Sequence, residues 1–154
     1  MLRGKLKVLP AKASSAEQPG YLLDVQVGFL MRVAMQRHTA IFMSRMIEDL
    51  TQTQFAALAK LREAGRCSQN QLGRLIYLDG ATIKGVVDRL RLRGFVITCN
   101  DPNDRRRMDV TLTDKGRDVT EAAVKVAAEI TAETLAPLSA EEHRTIGKLL
   151  KKLG

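Results

Sequence analysis

Two cysteines and two histidines are all that 154 residues contain, and their placement excludes most of the chemistry they usually carry. Cys67 and Cys99 stand 32 positions apart and form no C-x-x-C pair or cluster with His38 or His143, so neither a zinc site nor a disulfide framework is implied. The plain reading is two partly buried thiols in a reducing cytosol, with a redox-sensing thiol as the alternative. No stretch approaches the ~20 apolar residues that cross a bilayer, because Arg32 and Arg37 interrupt the longest hydrophobic region. Lys5, Lys7 and Pro10 break any apolar core of a secretory signal, so export is not expected. The sequence also lacks a nucleophile and base constellation and a glycine-rich phosphate cradle, which argues against an enzyme. These absences predict a cytoplasmic protein with no metal, no cofactor and no membrane partner. Acidic residues are the last shortage: 17 Asp and Glu face 25 Lys and Arg, a formal charge of +8. Such an excess favours polyanionic partners, with nucleic acid first.

What is present reads as one folded unit. Apolar residues make up 45% and charged residues 27%, ordinary proportions for a chain long enough to bury one core. Residues 1–20 carry Arg3, Lys5, Lys7 and Lys12 and close on Pro19-Gly20, the pattern of a flexible basic arm. From 21 to 47 apolar residues recur too densely for a single stripe, predicting a helix buried on more than one side and hence a subunit interface. Thr51 with Gln54 forms a capping box that starts a second helix at Gln52, ended by Gly65. Ser68 with Gln71 repeats the signature and opens a short third helix to about Ile76; Asp79-Gly80 then marks a turn. A fourth helix is predicted from Ala81 to about Arg93, with Ile83, Val86, Val87 and Leu90 on one face. Phe95–Cys99 and the alternating Met108–Leu112 read as a hairpin, whose loop over 100–107 is polar and exposed. Further helices are predicted from Asp114 to about Leu135 and after the Ser139/Glu142 capping box.

Helix, turn, helix and a charged hairpin in that order specify a mainly α fold with a small β-hairpin, the winged helix-turn-helix. Its fourth helix would enter the major groove of double-stranded DNA, with the hairpin beside it. From Lys84 to Arg107 seven basic residues (Lys84, Arg89, Arg91, Arg93, Arg105, Arg106, Arg107) face three acids (Asp88, Asp101, Asp104), half of the formal excess. A solvated helix face explains part of such a run; two protruding cationic elements neutralise phosphates instead. Base reading is assigned to Thr82 and Lys84, with Gly85 leaving room for close approach and Arg89 alongside. Arg106 is the candidate for insertion into a narrow minor groove, while Arg105 and Arg107 would meet phosphate. Asp104 would hold a neighbouring arginine through a bidentate ion pair.

The wing Asp101-Pro102-Asn103-Asp104-Arg105-Arg106 followed by Val110-Thr111-Leu112-Thr113-Asp114-Lys115-Gly116 resembles the MarR family, the multiple-antibiotic-resistance type of bacterial regulator. Leu50-Thr51-Gln52-Thr53-Gln54-Phe55 and Ser68-Gln69-Asn70-Gln71-Leu72 support the likeness, which spans roughly Leu22 to Leu153. The resemblance implies a homodimer joined by dimerisation helices over about 21–47 and 114–153. It implies a DNA-binding lobe over about 50–113, to which Ser68, Gln69 and Asn70 contribute contacts. It also implies a pseudo-palindromic operator, usually repressed until a small ligand arrives, and that ligand is often a phenolic or aromatic carboxylate. His38, Thr39, Phe42 and Phe55 are the candidate ligand residues: His38 and Phe42 lie four apart on one helix face, a polar handle beside an aromatic wall. Met35 and Met46 would add adaptable lining. The plain alternative makes His38 an interface histidine and Phe42 core. At the level of function, the alternative to a ligand-released repressor is a constitutive or architectural DNA-binding dimer. The stretch Gln36–Phe42 is also similar to family members that govern aromatic-acid or nicotinate breakdown.

Overall fold

The computed structural model describes residues 20–154; the basic arm expected over 1–20 lies, but for Gly20, outside the described residues. Six α-helices and three short strands follow one another: α1 (Val27–Arg45), α2 (Gln52–Ala64), β1 (Cys67–Ser68), α3 (Gln69–Leu75), α4 (Gly80–Leu92), β2 (Val96–Asn100), β3 (Met108–Leu112), α5 (Asp114–Leu135) and α6 (Ala140–Leu153). The architecture is the expected mainly α winged helix. Its boundaries follow from side-chain caps. Thr51 accepts from the Gln54 amide while the Gln54 side chain accepts from the Thr51 amide, completing the box that starts α2. Ser68, Asp79, Thr113 and Ser139 cap α3, α4, α5 and α6 by accepting from the amide three residues on.

Three features differ from the sequence reading. The first helix begins at Val27 rather than Tyr21, because Gln26 is extended and a 3-10 turn over Leu23–Val25 precedes it. The fourth begins one residue early, at Gly80, because the Asp79 carboxylate rather than a tight turn organises its start. The hairpin is part of a three-stranded antiparallel sheet in the order β1-β3-β2, with Cys67 opposite Val110 and Thr98 opposite Val110 on the other side. Two residues are too few to show an alternating period, which is why β1 is not readable from pattern.

The core lies among α2, α3, α4, the sheet and α5. Leu58, Leu72, Ile83, Leu90, Phe95, Val110 and Ile130 are essentially solvent-free, each contributing roughly 1.5–3 kcal/mol by leaving water. Gly73 permits the closest helix approach: a Cβ there would sit 3.1 Å from both Ile83 Cγ2 and the Leu78 carbonyl oxygen. That contact sets α3 against α4 and so aims the reading helix.

The two ends of the chain behave differently. On α1 only Phe42 is buried, while Val27, Leu30, Met31, Val33 and Met43 stay exposed. α6 buries no residue at all, and Leu149, Leu150 and Leu153 are 53%, 52% and 69% exposed. Apolar residues exposed in this number on two helices are what an interface, rather than a lone chain, accounts for.

Candidate functional site

The start of α4 is set by one carboxylate. Asp79 accepts from the Thr82 amide at 2.8 Å and from the Thr82 hydroxyl at 2.9 Å, and these bonds hold its carboxyl below the usual range. Thr82 is exposed and, with its proton committed to Asp79, presents acceptor lone pairs outward. One turn later Lys84 Nζ lies 2.6 Å from Asp88, an exposed i, i+4 pair that a phosphate or base edge would compete for. The Arg89 guanidinium folds back over Gly85, in whose place a Cβ would meet it at 3.5 Å.

Beside α4 the wing tip is built by short side chains on backbone. Asp101 accepts from the Asn103 amide at 2.8 Å and Asp104 from the Arg106 amide at 2.9 Å, two Asx turns that set the loop. Asp104 thus shapes the tip through backbone and makes no ion pair among the described residues, correcting the bidentate pairing expected of it. An aspartate side chain reaches the amide two residues on more readily than a guanidinium across the turn. The arginine is held instead by Asp109, which sequence reasoning missed. Its carboxylate accepts from Arg107 Nε at 3.1 Å and from Arg66 Nε at 2.9 Å. Both arginines draw its pKa below the usual carboxylate range, Arg107 most strongly. A readable signal did exist, since Arg107 and Asp109 stand i, i+2 where the chain enters β3. Arg107, expected on phosphate, is therefore paired inward, whereas no ion pair holds Arg105 or Arg106 among the described residues.

Between the wing and the start of α3 lies a polar cleft of about 300 Å³ lined by Ser68, Gln69, Asn70 and Arg74 on one side and by Asp104, Arg106, Arg107 and Met108 on the other. It gathers six of the residues singled out from sequence, Asp104 among them, and adds Arg74, whose position on α3 gave no separate signal. Thr82, Lys84, Gly85 and Arg89 lie on α4 outside this cleft.

The candidate ligand residues are divided between two cavities that share Phe42 and Gln52. One, of about 270 Å³, is lined by His38, Phe42, Gln52, Phe55, Ala127, Ile130 and Thr131. The other, of about 410 Å³, is lined by residues of α1, the α1–α2 connection and α2, among them Thr39, Phe42, Met46 and Asp49. Phe42 stands centrally, its ring centroid 6.4 Å from that of His38 and 6.1 Å from that of Phe55. Gln52 donates to Thr39 Oγ1 at 3.3 Å across the common wall. His38 Nδ1 is hydrogen-bonded to Thr134 Oγ1 of α5 at 2.8 Å, leaving Nε2 without a partner among the described residues. The neighbouring Arg37 donates to the Thr134 and Glu133 carbonyls, so α1 is clamped to α5 beside the cavity. Met46 lines a wall as expected; Met35 is half exposed and lines neither cavity.

Neither thiol belongs to a site. Cys67 is buried in β1 beside β3, where burial first and the Asp109 charge second push its pKa up, away from the reactive thiolate. Cys99 is exposed rather than partly buried. No group of three or more metal-ligating side chains occurs among the described residues, and no helix there is long and apolar enough to cross a membrane.

An amphipathic helix presented by a helix-turn-helix, with an arginine-tipped hairpin at its side, defines a winged-helix DNA-binding protein. The MarR family model matches residues 50–108. Over 148 residues the chain is 39% identical to the HTH-type transcriptional repressor NicR of Pseudomonas putida, covering 96% of this chain and 93% of that protein. The chain belongs to the MarR family: it is a transcriptional regulator and not an enzyme. Its fold matches that of a probable transcriptional regulator from Pseudomonas aeruginosa with a TM-score of 0.84 and 49% identity, over 86% of this chain and 100% of that one. Bordetella bronchiseptica BpsR, whose DNA binding is regulated by 6-hydroxynicotinic acid, matches with a TM-score of 0.82 and 40% identity, over 86% of this chain and 96% of that one.

Proposed function

We propose that this MarR-type repressor works in the cytoplasm as a homodimer, binds a pseudo-palindromic operator, and leaves it when a small aromatic carboxylate enters the His38–Phe42–Phe55 cavity. The observation that carries the reading is the position of that cavity, at the junction of α1, α2 and α5. It touches α1, a helix with an uncovered apolar face, and α2, the helix that opens the DNA-binding lobe. The exposure of the apolar residues of α1 and of Leu149, Leu150 and Leu153 supports dimerisation through 21–47 and 114–153, which would bury them against a second copy. The segment 50–113 then serves as the reading lobe. Ser68, Gln69, Asn70, Arg105 and Arg106 grip the backbone and minor groove, Arg107 braces the wing through Asp109, and Thr82, Lys84, Gly85 and Arg89 face the major groove.

Charge decides between the two cavities for an anionic ligand. Asp49 lines the larger one and repels a carboxylate; the smaller has no acid in its wall and offers His38 Nε2 and Gln52 as donors. The aromatic body of the ligand packs on Phe42 and Phe55. BpsR and its response to 6-hydroxynicotinic acid support this ligand class.

Two reading helices dock on half-sites ~34 Å apart, so a change in their separation prevents both from docking. To move a population from 99:1 bound-competent to 1:99, the ligand must prefer the released conformer by about 5.5 kcal/mol. The test is a gel shift on the duplex upstream of the protein's own coding sequence, titrated with benzoates, hydroxybenzoates and hydroxynicotinates. Release by a subset of these acids is expected. A shifted band that no acid disturbs refutes ligand release and leaves a constitutive DNA-binding dimer.

A further inference from the structure

Tyr77 sits in the turn between α3 and α4 with φ of 58°. That is the left-handed region, where the Cβ of an ordinary side chain crowds the following carbonyl and where glycine is at ease. Two glycines take this conformation, Gly65 at 68° and Gly94 at 74°. The other two exceptions, Glu48 and Asp49, are followed by a buried leucine and form part of a 3-10 turn. Tyr77 is a bulky aromatic and 89% exposed, so packing inside the chain does not account for it. The backbone of the turn is fixed independently of the ring: the Tyr77 amide donates to the Arg74 carbonyl at 3.3 Å and the Leu78 amide to the Gly73 carbonyl at 2.9 Å.

The surroundings of the ring say what it meets. Arg74, one turn earlier on α3, lines the cleft with Arg106 and Arg107. Beyond the half-buried Leu78, the residues Asp79, Gly80, Ala81 and Thr82 are all exposed at the leading end of α4. Tyr77 thus stands in the turn between Arg74 of the wing-side cleft and the exposed start of the reading helix. A phenol suits a position at the edge of a groove, because its ring covers deoxyribose while its hydroxyl donates to a phosphate oxygen.

We infer that Tyr77 is a DNA-backbone contact: its hydroxyl donates a hydrogen bond to a phosphate beside the major groove entered by α4, and its ring packs on the adjoining sugar. The inference rests on the DNA-binding reading above and adds a residue to it. Because the contact carries no sequence information, it acts equally on matched and unmatched DNA. Because it brings no cation, it leaves the salt slope of binding unchanged.

The experiment compares wild type with Tyr77→Phe and Tyr77→Gly by fluorescence anisotropy on the upstream duplex and on a random-sequence duplex, with thermal melting of each protein in parallel. Tyr77→Phe is expected to weaken both affinities about five-fold per docked chain, the effect of one lost hydrogen bond. Tyr77→Gly is expected to weaken them further while melting a few degrees above wild type, since glycine relieves the left-handed backbone. Affinities within two-fold of wild type for both variants would overturn the inference. So would wild-type affinity in Tyr77→Phe alone, a loss confined to one duplex, or a Tyr77→Gly protein that loses affinity and melting temperature together. Wild-type protein that bound neither duplex would instead overturn the DNA-binding reading and this inference with it.

Discussion

Gly116, in the first turn of α5, carries the attachment of that helix to the base of the wing, and adding one methyl group to it should be costly. An alanine Cβ at this position would lie 1.9 Å from the carbonyl oxygen of Phe95 and 2.8 Å from its carbonyl carbon. Restoring normal contact requires the two backbones to part by about 1 Å, and neither is a side chain that can rotate away. The separation would strain a set of bonds made at the same spot. The Thr113 amide donates to the Phe95 carbonyl at 3.1 Å, the Thr113 hydroxyl to the Gly94 carbonyl at 2.6 Å, and the Gly116 amide to Thr113 Oγ1 at 2.9 Å. Overpacking costs about 1–3 kcal/mol, weakened hydrogen bonds add about 1 kcal/mol each, and alanine's better helix propensity returns about 1 kcal/mol. The net expectation for Gly116→Ala is a loss of about 3 kcal/mol, or a melting temperature lower by roughly 6–12 °C for a chain of this size. Far-UV circular dichroism melts at one fixed protein concentration measure it, the fixed concentration being needed because assembly stabilises by mass action. Gly80→Ala is the control, since a methyl there meets nothing within 4 Å and should shift the melt by no more than about 2 °C. A Gly116→Ala protein melting within that same margin would refute the claim that α5 and the wing are locked through this contact.

Three further outcomes are expected. Arg106→Ala should weaken DNA binding and lower the slope of log affinity against log salt by about 1; an unchanged slope removes Arg106 from the phosphate and groove contacts. His38→Asn retains a polar group within reach of Thr134 Oγ1 but deletes Nε2, so effector-free DNA affinity should hold while the acid concentration needed for release rises. An unaltered release curve would strike His38 from the ligand site. Asp109 has a depressed pKa in the folded protein, so its stabilisation is complete above its unfolded value of about 3.9 and is lost as pH falls through the lower folded value. The stability difference between wild type and Asp109→Asn should therefore shrink on acidification below about pH 4, and a difference constant down to the acid limit of folding would contradict the ion pairing.

Much of this molecule is legible without coordinates because its helix starts are signed by side chains. Thr51, Ser68 and Ser139 announce α2, α3 and α6 from a hydroxyl and a glutamine or glutamate three residues apart, and those are the caps observed. The alternation through Met108–Leu112 likewise marks β3. What stayed hidden depends on contacts far apart in sequence. Asp109 takes its significance from Arg66, 43 residues away, and His38 from Thr134, 96 residues away; no local pattern encodes either pair. The wing illustrates a subtler limit. Its charge is readable, but whether Arg107 is free or paired turns on which carboxylate is within reach, and Asp104 satisfied the backbone first.

The central claim is that two copies of the chain hold one duplex together and that an aromatic acid ends the complex. Sedimentation velocity of a fluorescently labelled upstream duplex, with protein and with or without the acids of the panel, measures both halves at once. Two chains per duplex, converting to free duplex and free protein dimer when an effective acid is added, is the predicted result. One chain per duplex, or a complex that sediments unchanged with every acid, would contradict the account.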